Sequence, residues 1–240
     1  MTPAAVEATT HRHFHEQLAI VKERLLHMST RAEELVDLAV SALLTRDSAK
    51  AAAVIRQDHE IDDLEIEIES LAVSLLALHQ PMARDLRFII GAIKVSNDLE
   101  RVGDHAVNIA QETERLLGTR PDITPQAEIE EMAKRARGML GDALDAFLRA
   151  DGALGRDVCR RDDQVDAMNE SLFRILLTHM MENASTISAA LQLILVGRNL
   201  ERVADLATNI GEDAVYLAEG KQIKHHFEER RAQPRDPVSS

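Results

Sequence analysis

One apolar spacing constrains this chain more than any other feature, because it occurs twice. Val95, Leu99, Val102, Ala106 and Ile109 follow at steps of four, three, four and three, which puts all five on one face of a helix. Val196, Leu200, Val203, Ala207 and Ile210 repeat the spacing 101 residues later. Polar residues travel with it. Leu99-Glu100-Arg101-Val102-Gly103-Asp104 returns as Leu200-Glu201-Arg202-Val203-Ala204-Asp205, and Asn108-Ile109 as Asn209-Ile210. Asp47, Asp58 and Asp62 return as Asp151, Asp162 and Asp166 at a displacement of 104. A repeat this long is a duplicated unit, not a short-period solenoid.

Breakers are few and fall between periodic segments. Asp47-Ser48 reads as a turn and N-cap, Gln80-Pro81 as a turn before a helix, and Asp151-Gly152 and Glu182-Asn183-Ala184-Ser185 as further turns. The cluster from Gly118 to Pro125 reads as a linker. Six helices are predicted, at about 14–45, 50–79, 83–117, 126–150, 154–181 and 185–219. They form an all-α chain of two tandem three-helix units, 12–117 and 126–220, joined by 118–125. The first ten residues and the tail 221–240 are expected to be loose. Short turns make successive helices antiparallel neighbours.

Composition narrows the function. Aromatic residues are 2% and Trp is absent, which suits long helices better than sheets. The net charge of −13 repels nucleic acid backbones and anionic lipid, so neither is expected as a partner. A single cysteine, Cys159, excludes an internal disulfide. No run reaches the ~18–20 apolar residues of a membrane helix. A cytoplasmic location is the expectation.

The chemistry-bearing residues are carboxylates. Glu100 and Asp104 lie one turn apart on one helix face, with Asn108 a turn further; Glu201, Asp205 and Asn209 repeat them. Asp58 with Asp62, and Asp162 with Asp166, form two more such pairs. Counted from a turn at Pro81, Asp58 and Asp104 are each 23 residues away, and Asp62 and Glu100 each 19. Counted from Asn183, Asp162 and Asp205 are 21 and 22 away, Asp166 and Glu201 17 and 18. Equal distances in an antiparallel pair mean equal heights, though not equal azimuths. Four carboxylates at one level repel unless solvated, protonated or joined by cations. An all-oxygen set suits hard ions such as Mg, Ca, Mn or iron. The competing reading is a solvated acidic face countered by Arg101 and Arg202. Glu34 and Asp37 offer two more acids on the first helix, where the second unit has Gly138 and Gly141.

Other candidates are weaker. His11, His13 and His15 alternate and would not converge on a helix. His105 gives way to Leu206 in the copy, which favours a plain surface role. His79 and His179 close equivalent helices. No phosphate-cradling Gly-rich loop, nucleophile elbow or Glu-x-x-His motif occurs, so no enzyme activity is expected.

The run from Gln80 to Arg87, the segment Asn97 to Ala110, Asp58-His59-Glu60-Ile61-Asp62 and the copy Asn199 to Asp205 together resemble the PhoU family. The resemblance covers about residues 12–220. It implies two three-helix bundles related by pseudo-twofold symmetry and a homodimer. It also implies multinuclear sites for iron, zinc, manganese or magnesium, carried here by Glu100, Asp104, Glu201, Asp205, Asp58, Asp62, Asp162 and Asp166. The implied role is negative regulation of phosphate uptake and of the phosphate-starvation response. The implied partners are the ATPase subunit of a phosphate ABC transporter and a sensor histidine kinase. The alternative is a metal-storage or metal-dependent phosphatase-like helical protein.

Overall fold

A computed structural model describes residues 3–119, 123 and 125–223, with side chains from 12 onward. Seven α-helices occur among them: α1 (Pro3–Thr45), α2 (Ser48–Gln57), α3 (His59–His79), α4 (Ala83–Leu116), α5 (Gln126–Arg149), α6 (Gly152–Glu182) and α7 (Ile187–Glu219), with a 3-10 turn at Ala184–Thr186. The described residues contain no strand. One bundle is α1, α3 and α4, with α2 packed on α1 and α4; the other is α5, α6 and α7. Contacts of α4 with α7 and of α1 with α5 join the two, so equivalent helices meet across a pseudo-twofold axis. The predicted linker and tail lie mostly outside the described residues.

The repeated apolar spacing is the core. Val95, Leu99, Val102, Ala106 and Ile109, and their five counterparts on α7, are all 0% exposed. The turns behave as their side chains dictate. Asp47 accepts hydrogen bonds from the Ala49 and Lys50 N–H groups at 2.9 and 3.1 Å, and Asp151 from those of Ala153 and Leu154 at 3.0 Å. Polar ties cross between the units. Lys94 Nζ lies 3.4 Å from the buried Asp213 carboxylate, and His105 Nδ1 donates to Asn199 Oδ1 at 2.9 Å.

Two helix boundaries differ from expectation. The first helix begins at Pro3 instead of 14, because Pro suits a first helical position and no breaker follows it before Thr45. The helix expected over 50–79 is divided at Asp58 into α2 and α3. There the backbone tightens: the Asp58 carbonyl accepts from Ile61 N–H at 2.8 Å. The equivalent α6 runs unbroken. A steric difference accompanies this. Gly155 and Gly211 pass within contact of each other's backbone, where the first unit has Ala51 and Ala110 at the same repeat positions. Gly103 instead lets Asp58 close in, since a Cβ there would stand 2.7 Å from Asp58 Oδ1. The first unit's close approach is thus displaced along the hairpin to the point where its helix breaks.

Candidate metal centre

Each unit gathers its carboxylates on the outside of one helical hairpin. In the second, α6 supplies Asp162 and Asp166 and α7 supplies Asp205; one oxygen from each lies within 4.8 Å of the others. Glu201 stands one turn from Asp205, and its Oε2 accepts a hydrogen bond from Asn169 Nδ2 at 2.8 Å. Asp162 Oδ1 and Thr208 Oγ1 are both buried without a well-formed hydrogen bond, although the Thr208 hydroxyl is close enough to favour the ionised Asp162. Three carboxylates with oxygens this close, one of them partly desolvated, form an all-oxygen set that a hard cation fits.

In the first unit, Asp58 sits at the α2–α3 junction, Asp62 on the first turn of α3, and Glu100 and Asp104 on α4. The equal-height carboxylates lie within reach of one another's charge: Asp58 feels Asp62 and Asp104, and Glu100 feels Asp104, Glu65, Asp62 and Asp58. Among the described residues, however, only the second unit's Asp162, Asp166 and Asp205 bring three carboxylate oxygens within 4.8 Å of one another. Glu65, absent from the sequence-derived set, stands where the second unit has Asn169, which its displacement of 104 would have shown.

Desolvation comes first and neighbouring carboxylates second in raising these acids. Asp58, Glu100 and Asp162 are each pushed up to about 6, and Asp166 and Glu201 are raised for the same two reasons. The pH dependence follows. A folded pKa above the unfolded one means the native state holds more protons between pH 6 and 4. The ionisation penalty is therefore full above pH 6 and relieved as pH falls through it. Solvent screening reduces the effect, to a combined gain of about 1–2 kcal/mol. Metal-free protein should melt ~2–6 °C higher at pH 5.5 than at pH 7.5. Bound metal competes with protons, so metal-loaded protein should show the opposite slope. Thermal melts with and without chelator check both signs.

The other sequence candidates take different places. Glu34 pairs with Arg31 and Asp37 with Arg137 on α5, so neither joins the cluster. It is Glu33 that lies closest to Gly141, its Oε1 3.5 Å from where a Cβ would be, and desolvation raises its pKa. His105 and Arg101 reach from α4 to line a cavity of about 450 Å³ with Asp162, Arg202, Asp205, Thr208 and Asn209. His79 packs its ring against Phe14, 5.3 Å between centroids, and His13 and His15 lie close to these rings without converging on a common centre. His11 falls outside the described side chains. Burial, then the charges of Glu212 and Asp162, push the Cys159 thiol up to about 11, which leaves it unreactive near neutral pH.

Comparison with known proteins bears on the fold and its duplication. The family model described as PhoU domain matches twice, over residues 25–113 and 129–214, so each match takes in one carboxylate cluster. A phosphate-specific transport system accessory protein PhoU homolog from Clostridium acetobutylicum is 38% identical over 216 residues, covering 89% of this chain and 98% of that protein. The homolog of the same description from Aquifex aeolicus is 38% identical, covering 90% and 97%. The crystal structure of PhoU from Pseudomonas aeruginosa superposes with a TM-score of 0.81 at 38% identity, covering 87% of this chain and 100% of that one. The phosphate transport system regulatory protein PhoU from Streptococcus pneumoniae gives the same TM-score at 29% identity, covering 88% and 99%. With both repeats matched and near full-length relatives on each side of the comparison, the chain belongs to the PhoU family.

Proposed function

We propose that the protein is a negative regulator of phosphate uptake and of the phosphate-starvation response. In this reading it links the ATPase subunit of a phosphate ABC transporter to a sensor histidine kinase at the cytoplasmic face of the membrane. The observation that carries it is the match over both repeats to relatives named as accessory proteins of phosphate-specific transport. No helix among the described residues is long and apolar enough to cross a membrane, so recruitment would run through partners. A helical scaffold can shift a signalling equilibrium only by binding one state of its partner better than another. The units 12–117 and 126–220, joined by 118–125, would offer two such surfaces. Asp58, Asp62, Glu100 and Asp104 would hold metal in one unit, and Asp162, Asp166, Glu201 and Asp205 in the other. All-oxygen donors favour magnesium, manganese or iron over zinc. Such ions would neutralise the clusters and lock α3 to α4 and α6 to α7.

Deleting the gene, with any second copy, should raise phosphate-starvation gene expression in phosphate-replete cells. The tagged protein should recover the transporter ATPase or the kinase. Unchanged expression and no such partner would reject the reading. Hydrolysis of phosphate esters by the metal-loaded protein would move it to the phosphatase-like alternative.

A further inference from the structure

A groove of about 270 Å³ lies between α5 and α6 and shares no residue with the carboxylate centre. Lys134, Arg135 and Gly138 line it from one face of α5, with the buried Met139 beside them. From α6 come Arg161 and Gln164. Gly138 and Gln164 are each 13 residues from Asp151 at the turn, so they stand at one height in the antiparallel hairpin. Gly138 keeps the groove open, since even a Cβ there would meet nothing within 4 Å.

The duplication supplies a comparison within one chain. At the displacement of 104, Lys134, Arg135, Gly138, Arg161 and Gln164 correspond to Thr30, Arg31, Glu34, Gln57 and Glu60. Of these only the arginine is common to both units. In the first unit, Arg31 pairs with Glu34 and, at 2.8 Å, with Glu60. The second unit has uncharged groups in place of both carboxylates, and it adds Lys134 and Arg161. Arg135 is left with Glu131 one turn back, at 2.8 Å, and with Gln164 Oε1 at 2.6 Å. Asp142 accepts from Arg161 Nη2 at 2.7 Å, and Asp157 lies 3.4 Å from its Nε. Both of these acids stand outside the lining of the groove. The Lys134 ammonium has no partner among the described residues.

The charge of the place is thereby reversed. Lys134, Arg135 and Arg161 against Glu131 give the lining a formal charge of +2. The corresponding residues of the first unit are Arg31 against Glu34 and Glu60, with His27 in place of Glu131, and sum to −1. The chain as a whole carries −13, so the groove is a local exception to it. Core packing does not demand the change, because Lys134 and Arg135 are exposed.

We infer that this groove binds a small dianion through its phosphoryl group, carried by free phosphate or by a small phosphate monoester. Two guanidinium groups present N–H forks that match phosphate oxygens, and Lys134 adds a point charge. A phosphoryl dianion neutralises a lining of +2, whereas a single carboxylate would leave half of that charge uncompensated. Gly138 and Met139 offer an uncharged wall along which the organic part of a monoester would lie. The size fits as well, because the groove falls just below the ~300–1,000 Å³ of sites for drug-sized ligands. The inference is independent of the regulatory reading and of metal occupancy.

Equilibrium dialysis of the full chain tests it, with orthophosphate and adenosine monophosphate as the two probes. Chelator is present throughout, so that metal at the carboxylate centres cannot bind the same anions. The wild type should bind at least one probe at a single site with a Kd of ~0.1–1 mM. Binding should weaken as salt is raised. Equal affinities assign free phosphate as the ligand, and tighter binding of the nucleotide assigns a monoester. Lys134→Thr with Arg161→Gln installs the first unit's residues and should lower affinity at least ~30-fold. Arg161 also ties α6 to Asp142 on α5, so a second variant guards against a folding defect. Gly138→Glu restores the first unit's carboxylate in open space and should abolish binding, with unchanged helical circular dichroism. Arg174→Gln, on α6 beyond the groove, should leave the affinity unchanged. No saturable binding of either probe below ~5 mM, or binding that survives both groove variants, overturns the inference.

Discussion

Replacing Asp162 and Asp166 with asparagine should remove metal from the second unit while leaving the first unit's site loaded. Asparagine keeps the shape and one oxygen of each side chain but removes two negative charges from the donor set. Affinity for hard cations rests on that charge count, so binding should fall on the order of 100-fold or more. Elemental analysis of purified protein should show the metal content of this unit lost, and Glu100→Gln with Asp104→Asn should remove the other share independently. The apo forms of both variants should be at least as stable as the parent, because carboxylates that desolvation and mutual repulsion push up in pKa are gone. That combination separates a ligand role from a structural one, since loss of a structural carboxylate lowers stability. Full metal stoichiometry in both variants would remove these residues from the ligand set.

The fold was legible because its signal is redundant. The spacing at Val95–Ile109 fixes a buried helical face, and its return at Val196–Ile210 fixes the second; all ten residues are 0% exposed. Heights within each hairpin were legible for the same reason, since helical rise depends on residue count alone. Asp58 and Asp104, paired by counting from Pro81, do feel each other's charge. Azimuth was not legible, because it depends on how the helices roll against each other. That is why Glu34 and Asp37 looked like further ligands. Their places on α1 put them beside Arg31 and Arg137; Arg31 recurs as Arg135, but Arg137 has Glu33 at its repeat position, so its pairing with Asp37 has no counterpart to reveal it. The break at Asp58 was hidden as well. Nothing local to Gln57-Asp58-His59 interrupts a helix; what marks the place is a contact 45 residues on, where Gly103 leaves room for the Asp58 carboxylate. Long-range sterics of this kind have no signature in periodicity.

The same sterics predict two glycine substitutions of opposite sign. A Cβ at Gly155 would stand 2.6 Å from the Gly211 carbonyl oxygen, 3.2 Å from Val215 Cγ2 and 3.4 Å from Ala214 Cβ. The first obstacle is backbone, so no rotamer change relieves it, and α6 must move away from α7. Overpacking of this kind costs ~1–3 kcal/mol. A β-branched side chain brings a second atom into the same space, so Gly155→Val should reach about 3 kcal/mol. The melting temperature should then drop ~6–12 °C. The separation would also spread Asp162 from Asp205, so the second unit should lose metal affinity along with stability. At Gly138, inside α5, a Cβ would meet nothing within 4 Å. There only the backbone term remains, and Gly138→Ala should stabilise by roughly 0.5–1 kcal/mol through helix propensity. Thermal melts of the two variants at one pH, in chelator, read both signs. A Gly155→Val protein as stable as the parent would mean that α6 and α7 do not approach backbone to backbone.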